Sequence, residues 1–370
     1  MCPTKRTTRL AALCGLLLSF AAALLPANAA EITDLRGRKV TVPDQVRKIS
    51  IDDGRYLVAL SLVQADPVKP LAAWPRDIHR IGDATYAQFV EKFPALRNLP
   101  QVASSAGAFS LESVLSAAPD VAVVSLGGGP TDAQVAQLQA AGIAVVFIDF
   151  FNQPFENQER SLRILGQLTG GSAKAESFIE FRRQHLEKIS QRVAKLPASA
   201  RPTVFLEAHA GLTGDCCNSV GPGNVGDYIE FVGGHNIGAD VLKVPAGKLN
   251  LEYVMSRDPK LYIATGGVHL EKAGGLVLGA GYDAARARAA LQKISKRQGI
   301  AQLSAVKSGN TFGLAHQLVN SPIDIVVIEA FATWVHPELF KDVDPAKTLD
   351  EINKRFLAVP YVGTGWIGLK

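Results

Sequence analysis

Three histidines in this sequence are spaced so that they could act on one ligand. His209 follows the run Thr203–Glu207, His269 follows Ala264-Thr265-Gly266-Gly267, and His316 follows Phe312-Gly313-Leu314. Imidazole binds a metal as a neutral base, or pairs as imidazolium with an anionic chelate. If the three preceding runs are parallel strands of one sheet, the rings share a rim; a lone histidine would more simply be a satisfied surface or core residue. His79, His185, His235 and His336 read as structural by comparison. In the first half, Arg55, Trp74 and Arg76 also stand just after short apolar runs, with Tyr56 beside Arg55. A guanidinium fork suits carboxylate or catecholate oxygens through paired hydrogen bonds, and Trp74 could lie flat against a large ring or chelate. Each has an ordinary reading too: arginine exposed on a loop, tryptophan half-buried in packing.

Other chemistry is thin. There is no Gly-x-Ser-x-Gly elbow, P-loop or His-Glu-x-x-His, and Gly127-Gly128-Gly129-Pro130 does not extend to Gly-x-Gly-x-x-Gly because position 132 is Asp. Asp52-Asp53 is a carboxylate pair, yet adjacent residues on a turn seldom aim at one centre. Cys216 and Cys217 fall short of zinc-site spacing. Their redox state stays open, and two reduced thiols in a loop are a simpler reading than a strained eight-membered ring. We therefore expect no catalytic residues, no resident metal and no cofactor.

These residues need a scaffold, and the sequence alternates β-rich runs with helical stretches, as in parallel βα units. Expected strands are Lys48–Ile51, Val68–Ala73, Val121–Ser125 and Ala144–Asp149, with helices at Tyr56–Gln64, Leu111–Ala117 and Ala133–Ala140 between them. In open α/β sheets ligands collect at the carboxyl ends of strands. From Ser172 to Leu196 there is no Gly or Pro, and apolar residues recur at Ala175, Phe178, Phe181, Leu186, Ile189, Val193 and Leu196. That predicts one long amphipathic helix. The βα pattern then restarts with Thr203–Glu207, Leu261–Ala264 and Asn310–Leu314. The expected fold is α/β: two Rossmann-like lobes, residues 30–171 and 198–370, joined by the helix over 172–197, with a ligand cleft between them.

Residues 1–29 read as a secretory signal peptide: Lys5, Arg6 and Arg9, an apolar run from Leu10 to Leu25, and the small-x-small site Ala27-Asn28-Ala29. The run is shorter than the roughly 20 residues a bilayer requires, and bulky Leu13 argues against a lipoprotein through Cys14. Without the leader's three basic residues, 36 Lys+Arg stand against 34 Asp+Glu, a net charge of +2. That balance, with no dense basic run, argues against nucleic acid as a partner. The expected product is a soluble, exported monomer.

The two halves share a unit. Phe109-Ser110-Leu111-Glu112-Ser113-Val114 leads to Pro119-Asp120 and the strand Val121–Val124; Leu249-Asn250-Leu251-Glu252-Tyr253-Val254 leads to Pro259-Lys260 and Leu261–Ala264. Glu112 and Glu252 are 140 residues apart, as are Pro119 and Pro259. Together with Ile32-Thr33-Asp34-Leu35-Arg36-Gly37-Arg38, Val40-Thr41-Val42-Pro43, the segment Gly226-Asp227-Tyr228-Ile229 to Gly233-Gly234-His235-Asn236-Ile237, and Trp334-Val335-His336-Pro337-Glu338-Leu339-Phe340, this order resembles the periplasmic binding proteins of siderophore, haem and cobalamin ABC importers. The likeness spans nearly all of the chain beyond the leader. It implies capture of a small ligand between hinged lobes, delivery to an inner-membrane permease, and no chemistry on the ligand. It also implies permease docking by one glutamate per lobe, at Glu112 and Glu252, although a carboxylate in a helix's first turn is favoured by the dipole alone. Arg55, Tyr56, Trp74, Arg76, His209, His269 and His316 are the ligand-binding candidates. A ferric siderophore or similar iron chelate fits them best; haem, cobalamin or a free metal ion is the alternative ligand, and a sensor or an enzyme the alternative class.

Overall fold

The computed structural model describes residue 1, residues 29–214 and residues 216–370. The predicted leader, apart from its two end residues, lies outside the described residues. β1 (Ala29–Thr33) and β2 (Lys39–Pro43) form an antiparallel hairpin that buries Ile32, Val40 and Val42. β3 (Ile49–Ile51), β4 (Leu71–Ala73), β5 (Val121–Ser125) and β6 (Ala144–Ile148) make a parallel sheet in the order β4-β3-β5-β6. Every side chain of β3 and β5 is buried. Continuous apolar runs of this kind mark strands covered on both faces, and helices cover them here.

The second sheet runs β10-β8-β7-β11-β12-β13, with β9 beside β7. β7 (Thr203–Glu207), β11 (Leu261–Gly266) and β12 (Thr311–Ala315) are parallel; β8 (Asn218–Val220), β10 (Ala246–Lys248) and β13 (Trp366–Gly368) add antiparallel edges, and β9 (His235–Asn236) is parallel to β7. The chain is thus a two-lobed α/β protein.

The helix between the sheets spans Ser172–Val193, 22 residues, or about 33 Å at 1.5 Å per residue. It buries Ala175, Phe178, Ile179, Phe181 and Ile189. It also buries Arg182, whose Nε and Nη2 donate to Asp324 Oδ1 and Oδ2 at 2.8 Å each, while Tyr228 Oη donates to the same carboxylate at 2.8 Å. Arg182 Nη2 reaches the Pro154 carbonyl as well. One guanidinium therefore ties the helix to both lobes.

The repeated unit is visible in three dimensions. Helices Leu111–Ala117 and Leu251–Arg257 are each seven residues, capped by Ser110 and Asn250 side chains. Each ends on a left-handed residue, Ala118 or Asp258, and buries Val114 or Val254. β5 and β11 follow.

One expectation needs correcting. Cys216 and Cys217 are joined by a disulfide, not left as two thiols. The peptide bond between them is cis.

Candidate functional site

The strand ends of both sheets meet in a cleft. On the first lobe, β3 ends in Asp52-Asp53-Gly54-Arg55. Asp52 is buried and accepts from Ser125 N at 2.8 Å and Ser125 Oγ at 2.9 Å. Burial pushes its carboxyl up to about 7 despite those bonds. Asp53 faces two cations: Arg55 Nη2 donates to its Oδ2 at 2.7 Å, and Arg80 Nη1 bonds the same oxygen. Burial works against that charge, but the Arg55 and Arg80 guanidiniums outweigh it and hold the carboxyl below its usual range. Ser105 Oγ joins both groups, at 3.0 Å from Asp53 and 2.8 Å from Arg80. Gly54 N donates to Asp77 Oδ1 at 2.8 Å, and a Cβ at position 54 would stand 2.3 Å from that oxygen and displace the carboxylate. The adjacent acids thus divide their work: Asp53 fixes two arginines and Asp52 anchors Ser125, which in turn bonds Tyr56 Oη at 2.7 Å.

On the second lobe the three predicted histidines come together. Ring centroids are 3.8 Å apart for His209 and His316, 4.9 Å for His209 and His269, and 6.2 Å for His269 and His316. His209 Nδ1 lies 2.8 Å from His269 Nε2, and His316 Nδ1 lies 3.0 Å from Thr265 Oγ1. Burial, then His269, pulls His209 down to about 4; burial lowers His269 and His316 as well. Burial thus disfavours the imidazolium form across the rim. His209 sits at φ 52°, the left-handed region that side chains rarely adopt and that collects at functional sites. Its N–H is held by Thr265 Oγ1 at 3.0 Å.

Among the described residues, two of the cavities between the lobes take in these side chains. One, of about 310 Å³, is lined by Arg55, His79 and Arg80 of the first lobe and by His209, His269, His316, Gln317 and Asn320 of the second. The other, of about 380 Å³, is lined by Arg55, Tyr56, Arg80, Ser105, Ser125, the Asp149–Asn152 turn and Asn320. Arg55, Arg80 and Asn320 line both. Asn224 closes the back of the cleft, its Nδ2 donating to the Phe151 carbonyl and to Asn320 Oδ1.

Arg55 and Tyr56 line the cleft; Trp74 and Arg76 do not. Trp74 is fully buried and stacks on Tyr86 at 5.9 Å. Its backbone adds one bridge to Gln101, so the chain is still inside the lobe there. Arg76 Nη2 is taken up by the Arg97 and Leu99 carbonyls. The cation and ring that reach the cleft come later, on the short helix Ile78–Ile81: Arg80, which the sequence did not single out, and His79, read as structural. The other three histidines have partners within the fold: His185 with Glu329, His235 with Asp240, His336 with the Gly233 carbonyl. Among the described residues, no three His, Cys, Asp or Glu side chains form a group able to hold a metal ion. Glu112 and Glu252 lie outside both cavities, exposed on their helices.

The sequence matches the periplasmic binding protein family over residues 61–318, well over half its length. The chain belongs to that family. It is 25% identical over 206 residues to the vitamin B12-binding protein of Salmonella typhi, covering 55% of this chain and 72% of that one. It is 20% identical over 337 residues to an uncharacterized ABC transporter substrate-binding lipoprotein, YvrC, of Bacillus subtilis, covering 87% and 96%. Its fold is similar to that of the TroA-like periplasmic binding protein FepB from Veillonella parvula, with a TM-score of 0.82, 25% identity and coverage of 92% and 99%. This periplasmic binding protein is thus a solute-binding component of an ABC transporter and not an enzyme; what it carries is a transported ligand, not a cofactor.

Proposed function

We propose that this binding protein captures an iron chelate of the ferric siderophore kind in the periplasm and hands it to an inner-membrane ABC permease. The observation that carries the reading is the facing of Arg55 and Arg80 across one cavity from His209, His269 and His316. Guanidiniums suit the chelator's oxygens, and uncharged imidazoles suit a soft edge or an exposed metal. Ligand contacts come from Arg55, Tyr56, His209, His269 and His316 of the original set, with Arg80 and His79 added. In this reading residues 1–29 are a cleaved export signal, residues 30–171 and 198–370 the lobes, residues 172–197 the connector, and the protein acts as a monomer. Glu112 and Glu252 dock with the permease. The vitamin B12-binding relative favours cobalamin as the second reading.

Arg80→Ala tests the cleft. Arg55 remains on Asp53, so the turn keeps a counter-ion, while a charge-assisted contact of about 1.5–3 kcal/mol is lost. The dissociation constant for ferric chelates should rise about 10–100-fold, measured by calorimetry, with the melting curve as a folding control. An unchanged constant in a folded variant would count against the cleft assignment.

A further inference from the structure

Away from the cleft, one buried carboxylate has an oxygen that nothing satisfies. Glu329, on the helix Ile325–Val335, is 4% exposed. Its Oε1 accepts from His185 Nδ1 of the connector helix at 2.6 Å, while its Oε2 has no partner among the described residues. A buried acceptor without a donor is rare in native proteins and marks a place where a water, an ion or a ligand completes the group. Glu329 and His185 line a cavity of about 250 Å³ that shares no residue with the two in the cleft. One water takes up about 30 Å³ of liquid, so the space admits a small organic molecule.

The charges around this cavity narrow what such a molecule would be. On the connector helix, His185, Lys188, Ile189 and Arg192 fall at i, i+3, i+4 and i+7, the spacing of one helix face, and all four line it. Most charges at the rim are already matched. Arg192 holds Asp342 at 2.7 and 2.8 Å, Lys347 reaches Asp344 at 3.6 Å, and Arg355 pairs with Glu351. Two groups are not. Glu329 lacks a donor at Oε2, and Lys188 makes no bond or ion pair among the described residues. Ile189 and Phe340, each 1% exposed, add apolar wall. A metal ion does not suit the place, since the described residues here include no group of three His, Cys, Asp or Glu side chains able to hold one.

We propose that this cavity is a second binding site, separate from the cleft, for a small aliphatic amino acid or similar zwitterion. The ligand's ammonium donates to Glu329 Oε2, its carboxylate meets the Lys188 ammonium, and its side chain lies on Ile189 and Phe340. Both polar contacts are charge-assisted, the stronger kind of hydrogen bond. A ligand held this way bridges the connector helix and the helix Ile325–Val335, and so reinforces the junction that Arg182 and Asp324 also hold.

Leucine, isoamylamine and 4-methylpentanoate separate the parts, since the second lacks the carboxylate and the third the ammonium. Titrated calorimetrically into the full chain, leucine should bind one-to-one and at least about 10-fold tighter than either. Bound leucine should slow amide exchange over residues 185–192 and 340–348 and raise the melting temperature. Glu329→Gln removes the charge that the ammonium meets and should weaken leucine at least about 10-fold. Lys188→Ala changes an exposed residue, where folding is little affected; it should weaken leucine to the same degree and bring it level with isoamylamine. No leucine binding at about 10 mM would mean that water alone completes Glu329, and would overturn the proposal. Binding unchanged in both variants, protection confined to the cleft, or isoamylamine bound as tightly as leucine would overturn it as well.

Discussion

Alanine at both Glu112 and Glu252 is expected to cut uptake sharply while leaving ligand affinity untouched. Both carboxylates are exposed in the first turn of a short capped helix, and among the described residues neither makes an ion pair. Their folding role is limited to the helix dipole, about 0.3–1 kcal/mol each. Neither lines the cleft, and surface substitutions of this kind stay within about 0.5 kcal/mol. Affinity should therefore hold within about twofold. At a permease surface, by contrast, each would form a charge-assisted contact of about 1.5–3 kcal/mol, so loss of both should reduce transport by well over about tenfold. Each helix also leaves an apolar side chain in solvent three residues on, Leu115 at 38% and Met255 at 41% exposure. Acid and apolar group thus recur at matched positions on the two lobes, as a partner with two similar docking sites would require. Uptake of radiolabelled iron in a strain carrying the double variant, set beside calorimetry of the purified protein, makes the comparison; full uptake would remove the docking assignment.

The largest stability effect is expected at Arg182. Arg182→Met leaves Asp324 buried and without its cation, with only Tyr228 still donating to it. Removing one partner of a buried pair costs about 3–5 kcal/mol, because the remaining charge is uncompensated. Urea unfolding should show that loss. The paired change Arg182→Met with Asp324→Leu should recover much of it, since a buried ion pair exchanged for apolar packing is often neutral. A single variant as stable as the parent would show that the pair does not hold the helix to the second lobe.

The parts of this fold legible in the sequence are those governed by burial. β5, β7, β11 and β12 fall within one or two residues of their expected positions because long apolar runs between turns have few alternatives. β8, β9, β10 and β13 escaped notice: they are two or three residues long, with composition such as Asn-Ser-Val, His-Asn or Ala-Gly-Lys, and exist through pairing with neighbours. The histidine rim was readable because parallel strands place their ends together, so equal topological position became equal place. The same rule misplaced Trp74 and Arg76. The backbone at Trp74 makes one more bridge before the cleft opens, and the loop then turns so that Arg76 caps carbonyls of its own lobe. Arg80 and His79 were hidden because a one-turn helix, too short for any periodic signal, delivers them. The division of labour between Asp52 and Asp53 was equally out of reach, since it depends on Ser105, Ser125 and Arg80, distant in sequence.

Native mass spectrometry of the untagged protein, recovered from iron-limited cells that produce it, bears most directly on ligand capture between the lobes. One iron-bearing small molecule per chain, released chemically unchanged by mild acid and absent from a folded variant carrying Arg80→Ala and His209→Ala, is the predicted result. A chain that carries an iron-free solute in the same cleft, or returns its ligand altered, would contradict the account.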